Sequence, residues 1–155
     1  MTTNFAKARK ASQSGDFKTA LVEWAAWADQ GDAKAQFNLG LMYDDGRGVS
    51  QCHETAANWY NLAAKQGNVD AQSNLGLLYQ VQHSVFKDPV LDYMWINLSA
   101  ASGHKLSIQH KASMASTLTP VEIAQAQELS SRCLASQYTD CLPRTSLLGL
   151  LRRLF

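Results

Sequence analysis

The sequence predicts an all-α fold, a superhelical solenoid of α/α hairpins with about eight helices, and three observations carry that expectation. Gly31, Gly67 and Gly103 recur at an interval of 36 residues, and residues 31–66 laid over residues 67–102 share 13 identities. Within each of these units the apolar residues fall into two stripes at helical spacing.

Taken in chain order, Phe5, Ala8 and Ala11 suit one face of a first helix, and Gly15-Asp16 precede a second that carries Ala20, Leu21, Trp24, Ala25 and Ala28. The first good unit then places Ala35, Leu39 and Tyr43 at i, i+4 and i+8, followed by a second stripe of Ala56, Trp59, Ala63 and Ala64. The next unit repeats the pattern through Ala71, Leu75, Tyr79, Trp95 and Ala100. Gly31, Gly67 and Gly103 suit the left-handed position after a helix, and Asp32, Asn68 and His104 start the next one. Gly40 and Gly76 lie inside helices, where glycine costs about 1 kcal/mol relative to alanine. Close approach of a neighbouring helix is the packing reason, with Trp59 or Trp95 expected to cover the gap. Downstream, Ile108, Ala112, Met114 and Ala115 indicate another helix. Thr119-Pro120-Val121-Glu122 is a capping box that opens a last one running to about Ser136.

The domain reading is one repeat domain over residues 1–140, with repeats at about 31–66 and 67–102 and degenerate flanking helices as caps, followed by an apolar-basic tail at 141–155. The four tryptophans, Trp24, Trp27, Trp59 and Trp95, read as helix-packing residues at these spacings.

Composition narrows the function. A chain of 155 residues is about one domain long and buries about two-thirds of its unfolded surface. A net charge of +1 with 17% charged residues gives no field of the kind that gathers nucleic acid. Three cysteines without a CxxC, and four histidines that never pair at zinc-ligand spacing, argue against a metal site. No cofactor motif is present. The polar, alanine-rich start lacks the apolar run of a signal peptide, so a cytoplasmic location is expected; a chain from which a signal had been removed would be periplasmic or secreted.

The strings A-x-x-x-L-G-x-x-Y (Ala35 to Tyr43), G-x-G-V (Gly46 to Val49) and W-x-x-x-A-A-x-x-G (Trp59 to Gly67) resemble the Sel1-like repeat, a relative of the tetratricopeptide repeat. Residues 67–103 resemble it in both helices but depart in the loop, where Gln82 and Ser84 replace two glycines. The segment from Tyr93 to Gly103 followed by Leu118-Thr119-Pro120 is similar to the closing helices of bacterial Sel1-like proteins. The resemblance implies an adaptor or assembly scaffold and says little of the partner.

In such an architecture the first helices of successive hairpins line a concave groove. Once the core positions are removed, Lys34, Phe37, Asn38, Leu41 and Asp44 can face it, and so can their equivalents Asp70, Ser73, Asn74, Leu77 and Gln80. A carboxamide both donates and accepts, so Asn38 and Asn74 can grip an extended peptide backbone while Phe37, Leu41 and Leu77 take its side chains. Alternatively the two asparagines brace one repeat on the next.

The leading reading is therefore a protein-protein interaction adaptor that binds a protein or peptide partner and no nucleic acid or metal. A second reading is a hydrolase that uses Cys52, His53 and the acids Asp44 and Asp45. A third makes the tail, with Leu147, Leu148, Leu150, Leu151, Leu154 and Phe155 on one side of a helix, an oligomerisation or membrane element instead of a cap. Cys133 and Cys141 flank the end of the last helix; a bridge there would staple the cap in an oxidising compartment, whereas the missing signal favours free thiols.

Overall fold

The structure, a computed structural model, describes residues 5–80 and 87–142. All but the first two residues of the tail expected at 141–155, and the loop carrying Gln82 and Ser84, lie outside the described residues. Among the described residues there are eight helices and no strand: α1 (Ala6–Ser14), α2 (Phe17–Ala28), α3 (Ala33–Asp45), α4 (His53–Ala64), α5 (Val69–Gln80), α6 (Pro89–Ala101), α7 (Lys105–Ala115) and α8 (Pro120–Ala135). The residues gather into two compact units divided between Ala71 and Gln72.

Three short turns are built alike. Gly31, Gly67 and Gly103 adopt φ of 88°, 81° and 85°. Each glycine N–H donates to a carbonyl three residues back and the following N–H to one five back, as in Gly31 to Ala28 (2.9 Å) and Asp32 to Trp27 (3.2 Å). This closes the helix before it and leaves the next residue to cap the helix after it. Asp32 Oδ1 accepts from the Ala35 N–H (2.9 Å), Asn68 Oδ1 from Ala71 (2.8 Å) and His104 Nδ1 from Ser107 (3.2 Å). Each such cap contributes about 1 kcal/mol. The box at the start of α8 is complete, with Glu122 Oε2 accepting from the Thr119 N–H at 2.8 Å and Thr119 Oγ1 from the Glu122 N–H at 3.3 Å.

In the first unit, α1, α2 and α3 share a core of Ala8, Ala11, Ala20, Trp24, Ala28, Ala35, Leu39 and Met42, with Phe5, Trp27 and Trp59 packed against it. Alanine supplies five of these eight positions, so the helices lie close together. The indole Nε1 of Trp24 donates to Ser12 Oγ (3.0 Å). Gln66 Nε2, at the end of the second hairpin, donates to the Gly31 carbonyl (2.9 Å) and to Gln36 Oε1 (2.8 Å), tying that end to the preceding turn.

In the second unit the buried centre is richer in large side chains: Leu75, Leu91, Met94, Trp95, Ile96, Leu98 and Leu129. Here α8 closes against α6, Ser130 Oγ donating to the Met94 carbonyl (3.3 Å). After α8 the chain passes through left-handed Gln137 (φ 51°) and Tyr138 (φ 64°). Cys133 and Cys141 are joined by a disulfide, both sulfurs buried, in place of the free thiols favoured from the sequence. Arg132 braces the same fold-back through the Asp140 carboxylate (3.1 Å) and the Leu142 carbonyl.

Gly40 and Gly76 do sit at close helix approaches, but the covering residues differ from expectation. A Cβ on Gly40 would lie 2.6 Å from two ring carbons of Tyr60, and one on Gly76 would lie 2.8 Å from Ile96 Cγ1 and 3.2 Å from the Asp92 carbonyl oxygen. The covering position is one residue beyond each tryptophan, because Trp59 turns to the α1–α3 core. Tyr60 is fully enclosed and its ring has nowhere to move. Gly40→Ala should therefore lose about 1 to 3 kcal/mol through overpacking, outweighing the roughly 1 kcal/mol gain in helix propensity. The check is a lowered urea midpoint with an unchanged m-value.

Candidate functional site

Two regions carry side chains whose chemistry is not consumed by the fold, one in each unit. On α3 the buried residues Ala35, Gln36, Leu39, Gly40 and Met42 define the inner face. Lys34, Phe37, Asn38 and Leu41 recur at helical spacing on the other side and keep contact with solvent. The Lys34 ammonium lies 6.0 Å from the Phe5 ring centre, and Phe37 packs at 5.9 Å against the Tyr60 ring. Asn38 Nδ2 donates to the Lys34 carbonyl (2.7 Å), which holds the half-buried amide along α3.

Asp44 joins the two helices of the hairpin. Its Oδ2 accepts from the Tyr60 hydroxyl (3.1 Å) and its Oδ1 from His53 Nδ1 (2.8 Å). On α5, Asp70 is exposed, Leu77 is exposed, and Asn74 is half-buried. Ser73 corrects an expectation: it is only 4% exposed, because α7 brings Ser107 onto it and the Ser107 hydroxyl lies 3.0 Å from both Ser73 Oγ and Ser99 Oγ. It is a packing residue and not a surface one.

The residues weighed for nucleophilic chemistry do not converge. His53 is engaged by Asp44, while Cys52, at the start of α4, has its sulfur bonded by the Thr55 hydroxyl (3.2 Å). That hydrogen bond, with the Thr55 N–H, holds the Cys52 thiol below its ordinary range. Sequence neighbours have thus been given separate partners.

The second region went unnoticed in the sequence. A cleft of about 330 Å³ in the second unit is lined by Tyr79, Gln80, Lys87, Pro89, Asp92, Met114, Thr117, Leu118 and Glu122. Asp92 is 1% exposed, and its Oδ1 accepts no hydrogen bond from a described residue. Desolvation alone pushes its carboxyl up from 3.8 to about 7. Burial likewise raises the Tyr79 phenol, helped by the negative Asp88 nearby. A signal for Asp92 did exist: one repeat earlier its position is Ala56, fully buried in the apolar stripe of α4. Among the described residues no group of three or more His, Cys, Asp or Glu is placed to hold a metal ion.

Consecutive helical hairpins closed by left-handed glycines, two of them seated on a glycine within the first helix, define a tandem α/α repeat protein. The chain carries two Sel1 repeats, at residues 33–68 and 69–104. Its fold is similar to that of c5321, a protective antigen present in uropathogenic Escherichia coli strains that displays an SLR fold (TM-score 0.73, 26% identity, 86% of this chain and 32% of that one). It is also similar to a Sel1 repeat protein from Oxalobacter formigenes (TM-score 0.60, 30% identity, 64% of this chain and 40% of that one). The chain thus spans well under half the length of either. None of the curated proteins compared with it matches. Sel1 repeats are commonly protein-protein interaction modules.

Asp92 leaves a signature in stability. Its folded pKa of about 7 exceeds the ordinary 3.8, so the fold binds the proton more tightly than the unfolded chain does. The associated stabilisation, up to roughly 4 kcal/mol, is fully present below about pH 4 and is lost as pH rises through about 7. His110, whose imidazole burial holds below its usual range, pulls the other way over part of that window. The readout is therefore a difference: wild type minus Asp92→Asn, followed by thermal unfolding, should fall between pH 5 and pH 8.

Proposed function

We propose that this chain is an adaptor that holds a protein partner through the outward face of α3. The observation that carries the reading is the α3 stripe itself. Phe37 and Leu41 offer apolar contact on the same stripe as the Lys34 ammonium and the Asn38 amide, a pairing of anchors and hydrogen-bonding groups suited to a peptide segment. The common role of Sel1 repeats supports it. Asn38→Ala combined with Leu41→Ser should weaken a partner captured by affinity by roughly tenfold or more, the scale of losing contacts worth above 1 kcal/mol. The midpoint of thermal unfolding should stay within a degree or two. A large loss of stability instead would assign both residues to the fold.

We further propose that the chain works in an oxidising compartment, a reading supported by the buried Cys133–Cys141 bond. Of the three cysteines in the sequence, thiol counting on protein purified without reductant should find one reactive sulfur, Cys52, and all three only after unfolding with reductant. Three reactive thiols before reduction would place the chain in a reducing setting.

A further inference from the structure

The cleft beside Asp92 belongs to the second unit and the α3 stripe to the first, and the reading of the cleft does not rest on a protein held at that stripe. Its acid stands where the preceding repeat carries Ala56, at a position almost closed to solvent in both units. A carboxylate buried for structural reasons is ordinarily paired or hydrogen-bonded, since an unpaired charge in a dry site is costly. Asp92 Oδ1 has neither provision among the described residues. A cavity of about 330 Å³, within the size range of small-ligand sites, opens beside it.

The walls narrow the occupant. Pro89, Met114 and Leu118 supply apolar surface, while the ionisable groups facing the cleft are Asp92, Glu122, Tyr79 and Lys87. Two carboxyl groups against one ammonium favour a cation. Glu122 is held by the Thr119 cap and Lys87 is exposed, so Asp92 is the acid without an assigned partner.

We propose that this cleft binds an organic cation, an ammonium group on a short methylene chain, with the charge on Asp92 and the methylenes against Pro89, Met114 and Leu118. A free alkylamine and a lysine side chain of a partner share this chemistry.

The test follows the Asp92 carboxyl by carbon-detected NMR across a pH titration of the full chain. The probes are n-butylamine, n-butanol, and two short blocked peptides that carry either lysine or norleucine. An ammonium within ionic reach should lower the Asp92 pKa by about 1 to 3 units. Butylamine, the lysine peptide or both should do so saturably, while butanol and the norleucine peptide should not. Response to the peptide alone identifies a side chain as the source, and response to butylamine alone a free amine.

An Asp92 titration unmoved by both cations overturns the proposal, as does an equal shift with butanol. Asp92→Asn should abolish the saturable perturbation of cleft amides. If that variant fails to fold, the amine-against-alcohol comparison on the wild type still decides. Lys87→Met separates the chain's own cation: if it raises the Asp92 pKa by as much as butylamine lowers it, the site is already filled from within and the proposal falls.

Discussion

The absence of a side chain at Gly40 and Gly76 is the constraint from which the α3–α4 and α5–α6 hairpins are assembled. A Cβ at either position would enter the atoms of the second helix, so the two helices reach their spacing only where nothing projects. Glycine inside a helix costs about 1 kcal/mol, and burying the large side chain that fills the space returns more, about 1.5 to 3 kcal/mol. Further geometry hangs on this contact. Tyr60, seated on Gly40, extends its hydroxyl to Asp44, which in turn engages His53 at the start of α4. The Asp92 carbonyl sits over Gly76, so the approach that closes the hairpin also sets where the Asp92 side chain stands along α6.

Much of this was legible from sequence because it is local. The left-handed glycines, the caps after them and the box opening α8 are each specified within a few residues, and they form as written. The stripe on α3 follows from helical period once Ala35, Leu39 and Gly40 are assigned inward. Tyr60 was missed for a geometric reason: the indole at Trp59 is larger and recurs one repeat later, but it is directed to the α1–α3 core, and the next residue faces the glycine. Ser73 was misplaced because its burial comes from α7, a helix 34 residues further along whose approach no local pattern records.

Repeat architecture makes departures informative. Each repeat packs mainly on its neighbours, so equivalent positions meet similar surroundings, and a change of chemistry at one of them points to a change of circumstance. In passing from one repeat to the next, Phe37, Ala63 and Ala71 become Ser73, Ser99 and Ser107. Three apolar positions turn polar together, and the three hydroxyls meet at 3.0 Å and satisfy one another. Such a set can replace apolar packing at little cost, because no buried donor or acceptor is left over.

Asp92 is a departure of the other kind. It replaces Ala56 at an equally buried position, yet no compensating cation or donor appears among the described residues, and the carboxyl meets the cost by holding its proton up to about pH 7. A core under selection for packing alone would lose nothing by keeping alanine there, whereas an acid beside a cleft retains a use for its charge whenever a cation enters. The hydroxyl trio and the lone carboxyl stand in the same unit under the same packing rules. The difference between them, satisfaction from within against satisfaction from without, separates a repacked core from a site.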